Sequence, residues 1–274
     1  MAESLLDGAL QKALKRDRVL VALAIASITA LAWLYLGWLA ANMSEPPGMN
    51  GAKMQDEMGA MAPALRPWSP ADFILMFLMW AVMMVGMMAP SAAPIILLYA
   101  RVARQAAQRG QPFAAASWFA TGYFIVWFAF ALAATFAQWL MERAALLTPM
   151  LESNSKLLGG VILIVAGLYQ WTPLKNACLI QCRSPLAFIQ RHGGFQAEPL
   201  ASLRMGARHG AYCLGCCWAL MTLLFAGGIM NLLWIAGIGL FALIERALAH
   251  GIWVSRLAGL AAIIAGAWLL GPAP

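Results

Sequence analysis

The chain alternates long apolar runs with shorter polar stretches, and the runs have the length that crosses a membrane as α-helix, about 20 residues. The pattern predicts seven spans, at about 19–41, 71–100, 113–141, 157–171, 210–230, 232–248 and 252–270. The last two runs could form one tight hairpin, and six spans with the first as an appendage is the alternative. The predicted fold class is all-α, a polytopic bundle of transmembrane helices.

The same pattern divides the chain into four segments. Residues 1–18 are polar and amphipathic, and they precede the first span at 19–41. That run is too long for the apolar region of a cleavable signal peptide, so we expect it to remain in the mature protein. Residues 42–70 form a polar segment rich in Met, Gly and Pro, which we expect to be periplasmic. We expect residues 71–270 to form a multi-span membrane domain.

Composition indicates that lipid is the solvent of this chain. It is 63% hydrophobic and 11% charged, whereas a soluble domain carries roughly 25% charged residues. The sequence contains no Walker loop, dinucleotide fingerprint, H-E-x-x-H or G-x-S-x-G motif. Its three His include no pair at mid-membrane, which argues against a bis-His haem. Enzymatic activity stays open, and a non-enzymatic role is favoured.

The basic residues are distributed unevenly between the two sides of the seven-span arrangement. One side holds 14 of the 18 Lys and Arg residues, and such an excess marks cytoplasmic loops. We therefore expect a multi-pass protein of the bacterial inner membrane with a cytoplasmic N-terminus. Topology accounts for the net charge of +7, so no nucleic-acid partner is expected. A periplasmic or membrane metal protein is a candidate partner, and the oligomeric state stays open.

The five cysteines all fall within one window of 40 residues near the predicted cytoplasmic ends of the spans. In a helix, positions i and i+4 share a face, which would align Cys178 with Cys182 and His209 with Cys213. Clustered thiolates with a nearby His suit Cu(I) or Zn(II), and the reducing cytoplasm keeps thiols free. The predicted metal ligands are Cys178, Cys182, Cys213, Cys216, Cys217 and His209.

Two other interpretations of these cysteines remain open at this point. Free cysteines are also small hydrophobes that favour buried positions. The C-x-x-C spacing of Cys213 and Cys216 also suits thiol–disulfide exchange, in which one thiol attacks and its neighbour resolves. The spacing alone does not separate metal binding from redox chemistry.

The second predicted span carries a helical stripe of methionines. Thioethers are neutral, soft ligands, so the stripe could pass Cu(I) through an apolar medium, and a helix-packing surface is the alternative. The relay candidates are Met76, Met79, Met83, Met84, Met87 and Met88. Gly86, Pro90 and Pro94 are expected to break or kink this helix near its cytoplasmic end.

The polar segment before that span adds five more methionines. Polar segments rich in Gly and Pro have little packing use for thioethers, and the segment resembles Met-rich copper-capturing segments of periplasmic proteins. A linker with incidental methionines is the alternative. The capture candidates are Met43, Met49, Met54, Met58 and Met61.

One carboxylate lies near the cytoplasmic end of the sixth predicted span. Glu245 would be costly in lipid, so it should face protein, water or a cation. We expect it to pair with Arg246, His209 or His250, or to serve as a proton or charge partner of the metal site. An interfacial carboxylate paired with a neighbouring base is the favoured alternative.

Three blocks of sequence resemble a known family. They are 80–94 (WAVMMVGMMAPSAAP), 169–185 with its two cysteines, and 206–221 (GARHGAYCLGCCWALM). They resemble the bacterial "predicted metal-binding integral membrane protein" family, domain of unknown function 2182, over about 71–270. The resemblance implies metal or redox roles for the five cysteines and a functional role for the Met-rich span. Arg246 departs from an expected Lys, and Ile180 and Gln181 stand where basic or His character is expected, so these two are not candidate ligands.

Together these features predict an integral membrane protein that binds a soft metal ion through thiolates and thioethers. Cu(I) is favoured as the ion and zinc is the alternative. The predicted role is copper handling or transport. The alternatives are a membrane thiol–disulfide oxidoreductase and an assembly factor for a metal-containing membrane partner.

Overall fold

The structure is a computed structural model that describes residues 2–44, 68–111, 113–144, 146, 156–248 and 251–271, with side chains described for residues 19–42 of the first helix. Throughout these ranges the regular structure is helical, so the predicted all-α fold is confirmed. The helices are α1 (Ala2–Ser44), α2 (Pro70–Gln108), α3 (Ala116–Arg143), α4 (Lys156–Tyr169), α5 (Pro173–Arg183), α6 (Pro185–Arg191), α7 (Pro199–Thr222), α8 (Leu224–Gly227), α9 (Leu232–Ala247) and α10 (Gly251–Leu270).

Five of these helices are long and apolar enough to cross a membrane. They are the Val19–Asn42 part of α1, then α2, α3, Pro199–Gly227 (α7 with α8) and α10. Helices α4 and α5 pass the same test only together, across a bend of 67°, as a broken span or a re-entrant loop. Helix α9 has 16 residues, or roughly 24 Å, which is shorter than a hydrocarbon core of about 30 Å. The seven-span topology and its orientation therefore stay predictions.

Helix α2 is continuous over 39 residues and contains Pro90 and Pro94. The predicted break at these prolines does not occur. Its start is fixed by a capping box, in which Ser69 Oγ accepts from the Asp72 amide and Asp72 accepts from the Ser69 amide. Helices α1, α3 and α9 pack against α2, and such packing tolerates prolines inside a buried transmembrane helix.

Glycines allow α3 and α7 to approach each other closely. A Cβ atom at Gly122 would lie 2.0 Å from the Leu203 carbonyl oxygen, and one at Gly206 would lie 1.9 Å from the Phe119 carbonyl oxygen. Small residues at such crossings let the backbones of membrane helices meet. The α3–α7 contact therefore fixes where α7 presents its side chains to the core.

Helix α2 lies at the centre of the core, between α1, α3 and α9. Most of the buried methionines belong to it, and α7 adds the buried cysteines on the same side. The hydrophobic core of the bundle is therefore unusually rich in sulfur.

Candidate metal centre

Two helices carry the cysteines, and the local sequence explains both. Helix α5 begins at Pro173, where the Thr172 hydroxyl accepts from the Lys175 amide at 3.3 Å. It carries Cys178 and Cys182 one turn apart. Helix α7 begins with Pro199 in its first turn and carries the other three cysteines. The predicted alignment of the cysteines was conditional on both stretches being helical, and both are.

The two groups of cysteines meet where α5 packs on α7. Cys182 Sγ and Cys216 Sγ are 4.0 Å apart, although 34 positions separate them in the chain. The thiols of Cys216 and Cys217 each donate to the Cys213 carbonyl oxygen, at 3.1 and 2.9 Å. All five cysteines are free thiols.

Two further helices complete this cluster. The Tyr123 hydroxyl of α3 lies 3.0 Å from Cys213 Sγ and donates to the Met88 carbonyl oxygen of α2 at 3.3 Å. The Arg246 guanidinium of α9 donates to Cys217 Sγ at 3.2 Å, to Cys216 Sγ at 3.4 Å and to Met88 Sδ at 3.8 Å. We call Cys182, Cys213, Cys216, Cys217 and Met88 the sulfur centre.

The side chains as placed do not form a closed coordination shell. In the described ranges, no group of three or more His, Cys, Asp or Glu residues is arranged to hold a metal ion. Between α5 and α7, the sulfur atoms of Cys182 and Cys216 lie in contact at 4.0 Å. Two sulfurs bonded to one zinc at about 2.3 Å each can be up to about 4.6 Å apart, so this pair has the spacing to share an ion.

Two of the predicted ligands lie at the edge of the centre. Cys178 packs over Gly215, where a Cβ would lie 2.8 Å from Cys178 Sγ. His209 is 3% exposed and lies among the rings of Phe188, Tyr123 and Phe119, at centroid distances of 4.9, 5.9 and 6.0 Å. Its Nδ1 has no hydrogen-bond partner among the residues that the structure describes, which is unusual for a buried polar atom.

The methionine stripe is buried along α2. Met79, Met83, Met84, Met87 and Met88 are at most 3% exposed. Burial is what both a relay and a packing surface require, so it does not choose between the two.

The N-terminal end of the methionine stripe, at Met76, lies beside polar side chains. Met76 Sδ accepts from Gln138 Nε2 at 3.6 Å, and Gln138 also contacts Trp80 and Glu142 at 2.8 Å each. The capture candidates in 42–70 lie outside the described residues, apart from the backbone of Met43 in α1.

Lys175 is a cation buried in the helix bundle. Its side chain is 0% exposed, and its Nζ donates to both carboxylate oxygens of Glu245, at 2.7 and 3.0 Å. Gln170 accepts from the same ammonium group, and the Ser255 hydroxyl donates to Glu245. This cluster joins α5 to α9 and α10.

The structure thus gives Glu245 a different partner from Arg246 and His209, and His250, the third expected partner, lies outside the described residues. Consecutive helical residues do not face each other, so Glu245 and Arg246 point to different neighbours. A lone carboxylate in an apolar helix was a usable signal that a buried base exists elsewhere in the chain. The sequence offered no indication of which base it would be.

The comparisons with known proteins give one match. A family model described as "PpoB2: Copper chaperone" matches residues 77–269, which include all of the sulfur centre. No curated protein and no solved structure matches the chain. The family match supports the metal-related part of the resemblance noted in the sequence, while the particular family named there stays a prediction.

Proposed function

The chain belongs to the PpoB2 copper chaperone family, and from that premise we propose that it binds one Cu(I) ion between Cys182 and Cys216. We place it in the bacterial inner membrane, with the sulfur centre toward the cytoplasmic side. The ion is cargo that the protein holds and passes on.

The observation that carries this proposal is the 4.0 Å separation of Cys182 Sγ and Cys216 Sγ across two helices. A structural zinc site needs four ligands in a tetrahedron, and no group of three candidate ligands converges in the described ranges. Two thiolates suffice for Cu(I), which is the soft ion that sulfur ligands select. The geometry therefore favours Cu(I) over zinc.

The remaining sulfurs have supporting roles in this proposal. Cys217 and Met88 share the Arg246 guanidinium with Cys216, and Cys213 lies about one helical turn before it, so these sulfurs can exchange with the pair as the ion enters or leaves. His209 offers an unpartnered Nδ1 one helical turn from Cys213. The α2 methionines would carry the ion between this centre and the outer side, where the segment 42–70 would collect it.

Thiol exchange is the rival chemistry. Cys213, Cys216 and Cys217 are at most 2% exposed, whereas a reactive thiol needs access to its substrate. Burial therefore favours a small ion over a disulfide-bearing protein as the species that reaches these sulfurs.

The test is a Cu(I) titration of the anaerobically purified protein in detergent, against a chromogenic Cu(I) chelator. We expect about one tightly bound Cu(I) per chain, as a single thiolate pair provides. Cys182→Ser and Cys216→Ser should each lower the affinity about 100-fold or more, since outer-shell changes alone cost 10- to 100-fold.

Cys178→Ser is the matched comparison, because it makes the same exchange on the same helix one turn away. It should lower the affinity less than about tenfold, below the range of outer-shell partners. Equal losses in the Cys178 and Cys182 variants would overturn the assigned pair. A wild-type protein that binds no Cu(I) but cycles reversibly between dithiol and disulfide would establish the redox function instead.

A further inference from the structure

Arg246 brings a positive charge into the sulfur centre. Its guanidinium lies 3.2 Å from Cys217 Sγ and 3.4 Å from Cys216 Sγ. The adjacent Glu245 does not neutralise it, because both Glu245 oxygens bond to Lys175. Within the described ranges, no carboxylate lies within salt-bridge distance of Arg246, and its hydrogen-bond partners are sulfur atoms.

A guanidinium stays protonated under all physiological conditions. The Arg246 guanidinium is half-buried, so an opposite charge close by stabilises it, and the sulfurs are the hydrogen-bond partners in the described ranges that can supply that charge. The sulfur centre therefore favours a metal ion whose complex with the thiolates carries a net negative charge.

The total charge of the complex depends on the metal. Cu(I) has one positive charge, so its complex with two thiolates carries −1. Zn(II) has two, so its complex with the same two thiolates is neutral. The fixed Arg246 cation attracts the negative Cu(I)–bis-thiolate complex but not the neutral Zn(II)–bis-thiolate complex. The low dielectric of the core strengthens this difference.

We propose that Arg246 is a specificity-determining residue that selects a singly charged soft cation over a doubly charged one. It does so by compensating the negative Cu(I)–bis-thiolate complex at Cys182 and Cys216. The inference rests on the proposed copper function and adds the origin of its selectivity. Ag(I), which has the same charge and softness, should be accepted in place of Cu(I).

The test compares the affinities of full-length variants for Cu(I) and for Zn(II), with Ag(I) as an oxidation-resistant probe. In Arg246→Gln the ratio of Cu(I) to Zn(II) affinity should fall at least about tenfold, a change of 1.4 kcal/mol. The Ag(I) affinity should fall with that of Cu(I). Arg246→Lys keeps the charge and should retain most of the ratio.

Arg256→Gln is the matched control. The Arg256 guanidinium lies over the rings of Trp171 and Trp253, 5.7 and 5.4 Å from their centroids, and it makes no sulfur contact in the described ranges. The same loss of charge at that site should leave the metal ratio unchanged. Arg246→Leu, with an apolar side chain that carries no ligand atom, replaces the glutamine variant if that variant does not fold.

The possible results separate the two proposals. Failure of the wild-type protein to bind Cu(I) sinks the copper function itself. Normal Cu(I) binding with an unchanged metal ratio in the neutral Arg246 variants overturns only the selectivity role. Equal weakening of both metals would assign Arg246 to holding the helices together.

Discussion

Lys175→Met would remove one half of a buried ion pair and leave the other half in place. Lys175 and Glu245 are 0% and 1% exposed, with a closest N–O distance of 2.7 Å. In the variant, the Glu245 carboxylate would keep the Ser255 hydroxyl as a donor but lose its cation. An uncompensated charge would then lie between α5, α9 and α10.

The expected loss is large on the scale of protein stability. Removing one partner of a buried ion pair typically lowers the free energy of unfolding by about 3–5 kcal/mol, out of a total of roughly 5–15 kcal/mol. Lys175→Met with Glu245→Gln should be less damaging than Lys175→Met alone. In the double variant neither position carries a charge, and the new amide can still accept from Ser255.

The assay is reversible unfolding in mixed micelles, followed by helical circular dichroism. Lys156→Met is the control, because Lys156 is exposed at the start of α4 and surface substitutions usually change stability by under about 0.5 kcal/mol. The reasoning is refuted if Lys175→Met unfolds within about 1 kcal/mol of the wild type, or if the double variant loses the sum of both single losses, since residues in contact couple by about 0.5–3 kcal/mol.

Two further predictions concern the helix packing and the methionine stripe. Gly206→Ala should lower stability by more than the about 1–3 kcal/mol typical of overpacking, because its Cβ would lie 1.9 Å from the Phe119 carbonyl oxygen. In Gly237→Ala the new Cβ meets nothing within 4 Å, so this variant should raise stability by up to about 1 kcal/mol. Equal losses of unfolding free energy in Gly206→Ala and Gly237→Ala would contradict the close-contact explanation. Met83→Leu should keep stability within about 1.5 kcal/mol but slow copper loading of sealed vesicles, and an unchanged loading rate would leave Met83 with a packing role alone.

The helical fold could be predicted because the length and hydropathy of each apolar run indicate that lipid surrounds it. A run of lipid-facing residues must satisfy its backbone internally, which leaves the helix as its form. The lengths were harder to predict, because they depend on neighbours. Helix α4 ends at Tyr169, α5 starts at Pro173 after a 67° bend, and α9 has only 16 residues. Hydropathy does not encode such bends.

The prolines of α2 show the same limit. Pro90 and Pro94 each remove a backbone donor, so local rules predict an interruption. The helix continues through both, because the packing of α1, α3 and α9 against it supplies what the local sequence lacks.

The sulfur centre was only partly predictable, because spacing in the sequence fixes contacts within a helix but not contacts between helices. Spacing within one helix placed Cys213 and Cys216 near a shared face, and clustering in the sequence suggested that α5 would join them. Spacing could not reveal that Cys182, rather than Cys178, approaches Cys216. That choice follows from the way α5 docks on α7, where Cys178 packs over Gly215.

The charged residues of the site follow from one property of α9. Successive residues of a helix are about 100° apart around its axis, at 3.6 residues per turn, so Glu245 and Arg246 cannot satisfy each other. The acid faces α5 and α10, where Lys175 and Ser255 meet it. The base faces α7 and α2, where its neighbours are sulfur atoms.

This helix therefore leaves one half-buried positive charge unmatched by any carboxylate in the described ranges, and it leaves that charge beside the thiols. Such a charge is stabilised when an anion accompanies it. A Cu(I) ion held by two thiolates is such an anion. The Lys175–Glu245 pair then does more than stabilise the fold, because it anchors the helix that holds Arg246 in place and the helix that carries Cys182.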